Sequence, residues 1–277
     1  MSDKYVGHSY QRLKRMNLMS NNAKRLTRKQ KTGEQPVVEV VAGEAVVPVQ
    51  QKQLTIKPVN PRQKTLLQYL QEGRQVVFAI GSAGTGKSFL AAYHGSELLR
   101  TKKIDKIFLV RANVSTGKSN GALPGTLEEK LLPFFKQTLE HLGKFMGKGF
   151  LGYCLTSKKV EMLSVEHIRG MSIENALVIV EESQNLTSEE LEAILTRIGD
   201  GCQLVLTGDQ KQNDLKGKSG LMETIAMIDD VTGNMPDYLS DEDLQCMAQN
   251  IGIVTFTPDD VVRSGLCRAF VKMYFYA

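Results

Sequence analysis

The stretch "VVFAIGSAGTGKS", residues 76–88, limits what this chain can fold into more than any other. Residues 76–80 are a short continuous apolar run, the mark of a strand buried on both faces. The octet "GSAGTGKS" behind it, 81–88, matches G-x-x-x-x-G-K-[ST]. Gly81, Gly84 and Gly86 let the chain through Ser82, Ala83 and Thr85 curl, so that successive N–H groups point at phosphate oxygens. A helix from Lys87 to about Arg100, with Phe89 in its first turn, adds the partial positive charge of its N-terminus. Lys87 should reach β- and γ-phosphates, and the Ser88 hydroxyl should sit on a magnesium ion. Strand, turn and helix in this order predict nucleotide binding by residues 81–89.

Four further runs read as buried strands: "KIFLV" (106–110), "LVIV" (177–180), "QLVLT" (203–207) and "GIVTF" (252–256). Helical patterns separate them, including 188–198, where Leu191, Ile194, Leu195 and Ile198 share a face. After the fifth strand, Thr257 reads as an N-cap, with Pro258 at the first helical position and Asp259 and Asp260 in the first turn. The alternation predicts an α/β domain over 58–277, with a mainly parallel sheet flanked by helices and ligands at the carboxyl ends of its strands. Residues 36–57 read as a linker or short β-hairpin, and 1–35 as a flexible, disordered basic arm.

The third strand ends in "ALVIVEESQN", 176–185. Such a strand commonly offers Asp to a phosphate-bound magnesium ion and a following Glu to water, whereas this pair is Glu181 and Glu182. The extra methylene of Glu181 moves its carboxylate by about 1 Å. Magnesium bound through water absorbs such a shift, so Glu181→Asp is expected to leave activity intact or raise it. Gln184 and Asn185 supply polar groups suited to positioning water. In "TGDQKQND", 207–214, Asp209 and Gln212 are spaced to meet a γ-phosphate or its attacking water. Gln63, in "NPRQKTLLQYL" (60–70), has an amide able to donate to and accept from adenine's Hoogsteen edge. Arg111, Arg169, Arg197 and Arg263 are candidates for an arginine on the transferring phosphate, one of them expected to act in trans. Arg197 follows the acidic pair by one helix, and Arg263 falls in the first turns of the expected last helix.

The 277 residues, 42% apolar, can bury one sizeable core. No run approaches the roughly 18 apolar residues of a membrane span, and the N-terminus lacks a secretory core. These features predict a cytoplasmic protein with no membrane partner. Cys154, Cys202, Cys246 and Cys267 are scattered, as are His8, His94, His141 and His167, so neither a disulfide nor a structural metal is expected. Net charge is +5, and Arg12, Lys14, Arg15, Lys24, Arg25, Arg28 and Lys29 cluster between Lys4 and Lys31. Such a cluster suits a polyanion. A second "TGKS", 116–119, has Ala112 where the first glycine is required and runs on into "NGALPG", so it reads as a loop carrying Arg111 and Lys118.

Taken together, "GSAGTGKS", "LPGTLEEKLLPF" (123–134), "HIRGMSIENALVIVEESQNLT" (167–187), "LTRIG" (195–199), "LTGDQKQNDL" (206–215), "SGL" (219–221) and "DDVVRS" (259–264) closely resemble the PhoH-like ATPase family. Its core is similar to one RecA-like module of superfamily 1 helicases. The likeness covers roughly 58–277, thinly at 136–165 and 229–250. The resemblance implies ATP hydrolysis with Mg2+, coupled to single-stranded RNA or DNA, and self-association into a ring, with a hexamer the expected number. It assigns Glu181 to magnesium through the water shell and Glu182 to general base, Lys87 and Ser88 to the phosphates and metal, and Asp209 and Gln212 to sensing the γ-phosphate. Where the family reads Asp-Glu-Ala-Gln this chain has "EESQ", with Ser183 replacing Ala. By analogy with helicase-like folds, 111–125 is the loop expected to face the nucleic-acid strand. A single module lacks the second one that supplies arginines in such helicases, which favours a neighbouring subunit completing the site. The competing expectation is a nucleotide-switched binding or scaffold protein with slow hydrolysis.

Overall fold

A computed structural model describes residues 40–41, 44–45, 55–111 and 127–276, with 216, 235 and 237 excepted. The chain divides into two units, Met1–Lys52 and Gln53–Ala277. In the first, β1 (Val40–Val41) pairs antiparallel with β2 (Glu44–Ala45). The expected basic arm, 1–35, and nearly all of the loop 111–125 lie outside the described residues.

The second unit is built on six parallel strands in the order β5-β4-β6-β7-β3-β8. They are β3 (Val76–Gly81), β4 (Lys106–Arg111), β5 (Val160–Ser164), β6 (Ala176–Glu181), β7 (Gln203–Gly208) and β8 (Ile251–Phe256). Continuous apolar sequence puts β3, β4, β6 and β7 in the middle, where both faces are covered. The expected P-loop NTPase-type α/β architecture is therefore present. It has one strand more than the apolar runs predict. "VEMLS" alternates buried and half-buried residues because β5 is an edge strand, so it leaves no continuous run to read.

Helices cover both faces. On one lie α1 (Pro61–Gln71), α2 (Lys87–Arg100), α3 (Leu127–Met146) and α4 (Lys148–Thr156). Leu66, Leu90, Phe135 and Leu142 pack there on Ile107, Ile179 and Val205. On the other, α5 (Val165–Ile168), α6 (Ser188–Leu195) and α7 (Gly220–Asn234) bring Ile168, Leu191 and Leu221 onto Phe78, Val178 and Leu206. Caps set the helix starts: the Asn60 side chain accepts from Gln63 N at 2.8 Å ahead of Pro61, and Thr187 forms a capping box with Glu190 ahead of α6. After α8 (Asp241–Asn250) and β8, Thr257 does cap, but what it caps is a single 3-10 turn, Pro258–Asp260. The expected last helix therefore starts later, as α9 (Gly265–Tyr276), and Arg263 precedes it. The chain turns extended at Val261, and Val262 N donates to Gly84 O at 3.0 Å. That bond docks the segment on the loop after β3 and interrupts the helix. Among the described residues no helix is long and apolar enough to cross a membrane.

Candidate nucleotide site

The topology decides where the chemistry meets. Strand β7 lies between β3 and β6, so the loop after β3 and the acidic end of β6 are two strand spacings apart, about 10 Å. That gap opens at the carboxyl edge into a cavity of about 450 Å³ lined by loop residues Ala83, Gly84, Gly86, Lys87 and Ser88 and by Glu181, Glu182, Asp209 and Gln212 across from them. Phe89, Gln63 and Arg263 line it too. Arg169 and Arg197 are both exposed, and neither lines the cavity.

The loop curls tightly enough to demand glycine twice over. Gly86 has φ of 90°, and a Cβ there would lie 2.8 Å from Gln63 Nε2; Gly84 has φ of 80°, and a Cβ would lie 2.8 Å from Arg263 Nε. Lys87 folds back over this curl, its ammonium donating to Gly81 O at 2.6 Å and Ser82 O at 2.9 Å. Burial pulls its pKa down to about 8, against the opposing pull of Asp209, Glu181 and Glu182. An ammonium in this position can exchange carbonyl partners for phosphate oxygens.

In a regular strand Glu181 and Glu182 would point to opposite faces of the sheet. Glu182 escapes that rule by adopting the left-handed region, φ 53° and ψ 41°, a strained conformation for a residue with a side chain. Both carboxylates consequently line the one cavity. Glu181 Oε2 accepts from Ser88 Oγ and Thr207 Oγ1, each at 2.8 Å, and Oε1 accepts from Thr138 Oγ1 at 2.7 Å. A serine hydroxyl that gives its proton to Glu181 keeps its lone pairs for a cation. Among the described residues no group of three or more His, Cys, Asp or Glu could hold a metal. The donor set fits magnesium, which takes few protein oxygens and completes its shell with water and substrate phosphate.

The residues after the acidic pair have a different place from the one their polarity suggests. Gln184 is fully buried and Asn185 nearly so, so neither faces water. Gln184 Nε2 donates to Glu182 Oε2 at 2.7 Å and to Gln212 O at 3.1 Å, while its Oε1 accepts from Asp209 N at 3.0 Å. Asn185 Oδ1 accepts from Asp214 N at 2.8 Å, and Ser183 Oγ donates to Thr207 O at 3.0 Å. These bonds tie the end of β6 to β7 and to the turn after it, which carries Asp209 and Gln212. Asp209 Oδ2 in turn accepts from Ala83 N of the phosphate loop at 3.2 Å and from Gln212 Nε2 at 3.1 Å. Hydrogen bonds thereby join the phosphate loop, the end of β6 and the turn after β7.

Gln63 is buried with both ends of its amide engaged: Nε2 donates to Thr85 O at 2.8 Å and Oε1 accepts from Val59 N at 3.0 Å. These bonds brace the loop from a residue that also lines the cavity. Phe89 packs edge-on to His141 and tilted against Phe145. Thr138 is a site residue that sequence reasoning misses. The signal available for it is a lone hydroxyl among Phe135, Leu139 and Leu142 on the apolar face of α3.

Known proteins share this sequence pattern. The family model described as PhoH-like protein matches residues 55–275. Protein PhoH of Escherichia coli (strain K12) is 34% identical over 223 residues, covering 78% of this chain and 58% of that protein. A PhoH-like protein of Synechocystis sp. is 36% identical over 185 residues, covering 66% of this chain and 56% of that protein. The chain thus spans little more than half the length of these relatives. A solved large terminase from a thermophilic bacteriophage superposes with a TM-score of 0.44 at 12% identity, over 79% of this chain and 50% of that one. With a family match running from the strand-leading segment to the last helix, the chain belongs to the PhoH-like protein family.

Proposed function

We propose that this chain is a magnesium-dependent ATPase whose turnover is coupled to single-stranded RNA or DNA. The observation that carries the hydrolytic part is the single cavity in which Lys87 and Ser88 face Glu181 and Glu182. In this reading the loop amides of 82–86 and the Lys87 ammonium bind the triphosphate. Glu182 accepts the proton of the attacking water, and Gln184 holds its carboxylate in place. Magnesium held at Ser88 and Glu181 would neutralise charge on the β- and γ-phosphates. Asp209 and Gln212 register loss of the γ-phosphate through the Ala83 amide and pass it along the Gln184 network. Gln63 spends one amide hydrogen on Thr85 O and one lone pair on Val59 N, which leaves one of each for an adenine edge.

The nucleic-acid part rests on the family resemblance and on the charge of +5. Self-association into a ring, with a hexamer expected, belongs to the same proposal. Steady-state ATP turnover with and without single-stranded RNA and DNA, across salt concentration, tests the coupling. Stimulation of about tenfold or more that fades with salt is the expected result. ATP turnover indifferent to either polymer, together with nucleotide-dependent capture of a protein partner, would favour a switch or scaffold.

The depressed pKa of Lys87 gives this reading a pH signature. Phosphate binding needs the ammonium form, and burial lowers the pKa in the free protein to about 8. As pH rises through that value the cation is lost, so kcat/KM for ATP should fall about tenfold per unit at higher pH. Bound phosphate pulls the pKa back up, so kcat should hold to higher pH. A kcat/KM profile flat to about pH 9.5 would remove Lys87 from the phosphate-binding role.

A further inference from the structure

We propose that Thr138 of helix α3 is a positioning residue for the metal-side carboxylate, and that it is the reason Glu works at position 181. The inference rests on the ATPase reading of this site and deepens it. Glu181 has three hydroxyl donors on three different elements: Ser88 on α2, Thr207 on β7 and Thr138 on α3. They are not equivalent. Thr207 Oγ1 also lies 3.2 Å from Val180 O, so its one proton is shared between two acceptors. Ser88 and Thr207 both address Oε2, leaving Thr138 as the partner of Oε1. Thr138 itself is 3% exposed, and a buried hydroxyl at that depth needs an acceptor. Its acceptor is this carboxylate.

Side-chain length then explains the pairing. An Asp at 181 would draw the carboxylate back along the side chain by about 1 Å. A retreat of that size can lengthen the 2.7 Å bond from Thr138 by up to about 1 Å, enough to break it. Glu at 181 and Thr at 138 therefore form one unit spanning β6 and α3: the longer arm reaches the helix, and the helix fixes the longer arm. A carboxylate pinned at Oε1 cannot rotate its Oε2 away from Ser88. Without the pin, Glu181 retains an extra rotatable bond and samples positions that abandon the metal side of the cavity. Supporting hydrogen bonds on metal-side carboxylates are worth roughly 10–100-fold in metal affinity or activity.

The test measures binding, in the full-length chain, of a fluorescent non-hydrolysable ATP analogue in Mg2+ and in EDTA. The set is wild type, Thr138→Val, Thr138→Ser, Glu181→Asp and the double variant Glu181→Asp/Thr138→Val. Mg2+ should tighten binding by wild type, and Thr138→Val should lose about tenfold of that gain with its EDTA affinity unchanged. Thr138→Ser, which keeps the hydroxyl, should restore it. In the Glu181→Asp background Thr138→Val should make no further difference, since Asp has already let go of the helix. In turnover, the Thr138→Val loss should fall on kcat/KM for ATP and on the Mg2+ concentration needed, and Thr138→Ser should restore both. A full Mg2+ gain in Thr138→Val, or the same loss in both backgrounds, overturns the proposal. Thr138→Ser guards against misfolding, because a loss it shares with Thr138→Val would also overturn it. Absence of analogue binding by wild type would instead overturn the nucleotide reading itself.

Discussion

Glu182→Gln should reduce ATP turnover by roughly 10²–10⁴-fold while leaving nucleotide affinity within a few-fold of wild type. The expectation comes from how the chain builds this position. A residue in the left-handed region is retained where the surrounding structure over-determines it, and Glu182 is held there by the three residues after it. Ser183, Gln184 and Asn185 are each buried and each bonded to the β7 end or the turn beyond it. The carboxylate lines the cavity and is steadied by the Gln184 amide, Nε2 at 2.7 Å. Gln in its place preserves size and removes the proton acceptor, so binding should survive and hydrolysis should not. Single-turnover hydrolysis at saturating ATP, beside equilibrium binding of the same nucleotide, separates the two. Equal turnover in parent and variant would remove Glu182 as the base. Glu181→Asp now carries the opposite expectation from the one sequence suggests. Losing the Thr138 bond should cost activity, because the extra methylene is held in place by a partner.

The parts of the site written in local sequence were legible. The loop's glycines, Lys87 and Ser88 fall within one short stretch of chain, 81–88, and the central strands announce themselves by unbroken apolar runs. The left-handed turn that brings Glu182 beside Glu181 has no signal in the strand that precedes it. What stayed hidden depends on partners distant in sequence. Gln184 and Asn185 look like solvent-facing polar residues until the turn after β7 arrives to absorb their bonds. Thr138 looks like an ordinary break in an apolar stripe until it is set against a carboxylate 43 residues away. Gln63 has the right chemistry for a nucleobase, and only the fold shows that its amide also bonds Thr85 O and Val59 N. The late start of α9 has a related cause. A capping box fixes where a helical turn begins and says nothing of how many turns come after it, and here the pull of Gly84 O on Val262 ends it after one.

That same docking yields the second large effect, at Arg263. The segment bearing it is anchored from below: Arg62 Nη1 meets Asp260 Oδ2 at 2.9 Å, Asn60 Nδ2 donates to Asp260 O at 3.3 Å, and Val262 N donates to Gly84 O at 3.0 Å. Arg263 is thereby carried onto the phosphate loop of its own chain, close enough that a Cβ on Gly84 would strike its side chain. A guanidinium over the loop of its own subunit has the position for charge stabilisation in cis, an effect of about 10³-fold or more when it acts on the transferring phosphate. Arg263→Ala should lower kcat by that order. Mixing tells cis from trans. Subunits carrying Arg263→Ala and subunits carrying Lys87→Ala should stay inactive when combined, because each defect sits in one chain's own cavity. Exposed Arg197, outside that cavity as Arg169 is, is one candidate to act on a neighbour. If it acts across an interface, Arg197→Ala mixed with Lys87→Ala should regain part of the wild-type rate, since the second supplies the arginine and the first an intact loop. Recovery in the Arg263 mixture would instead put Arg263 in the adjacent subunit's site.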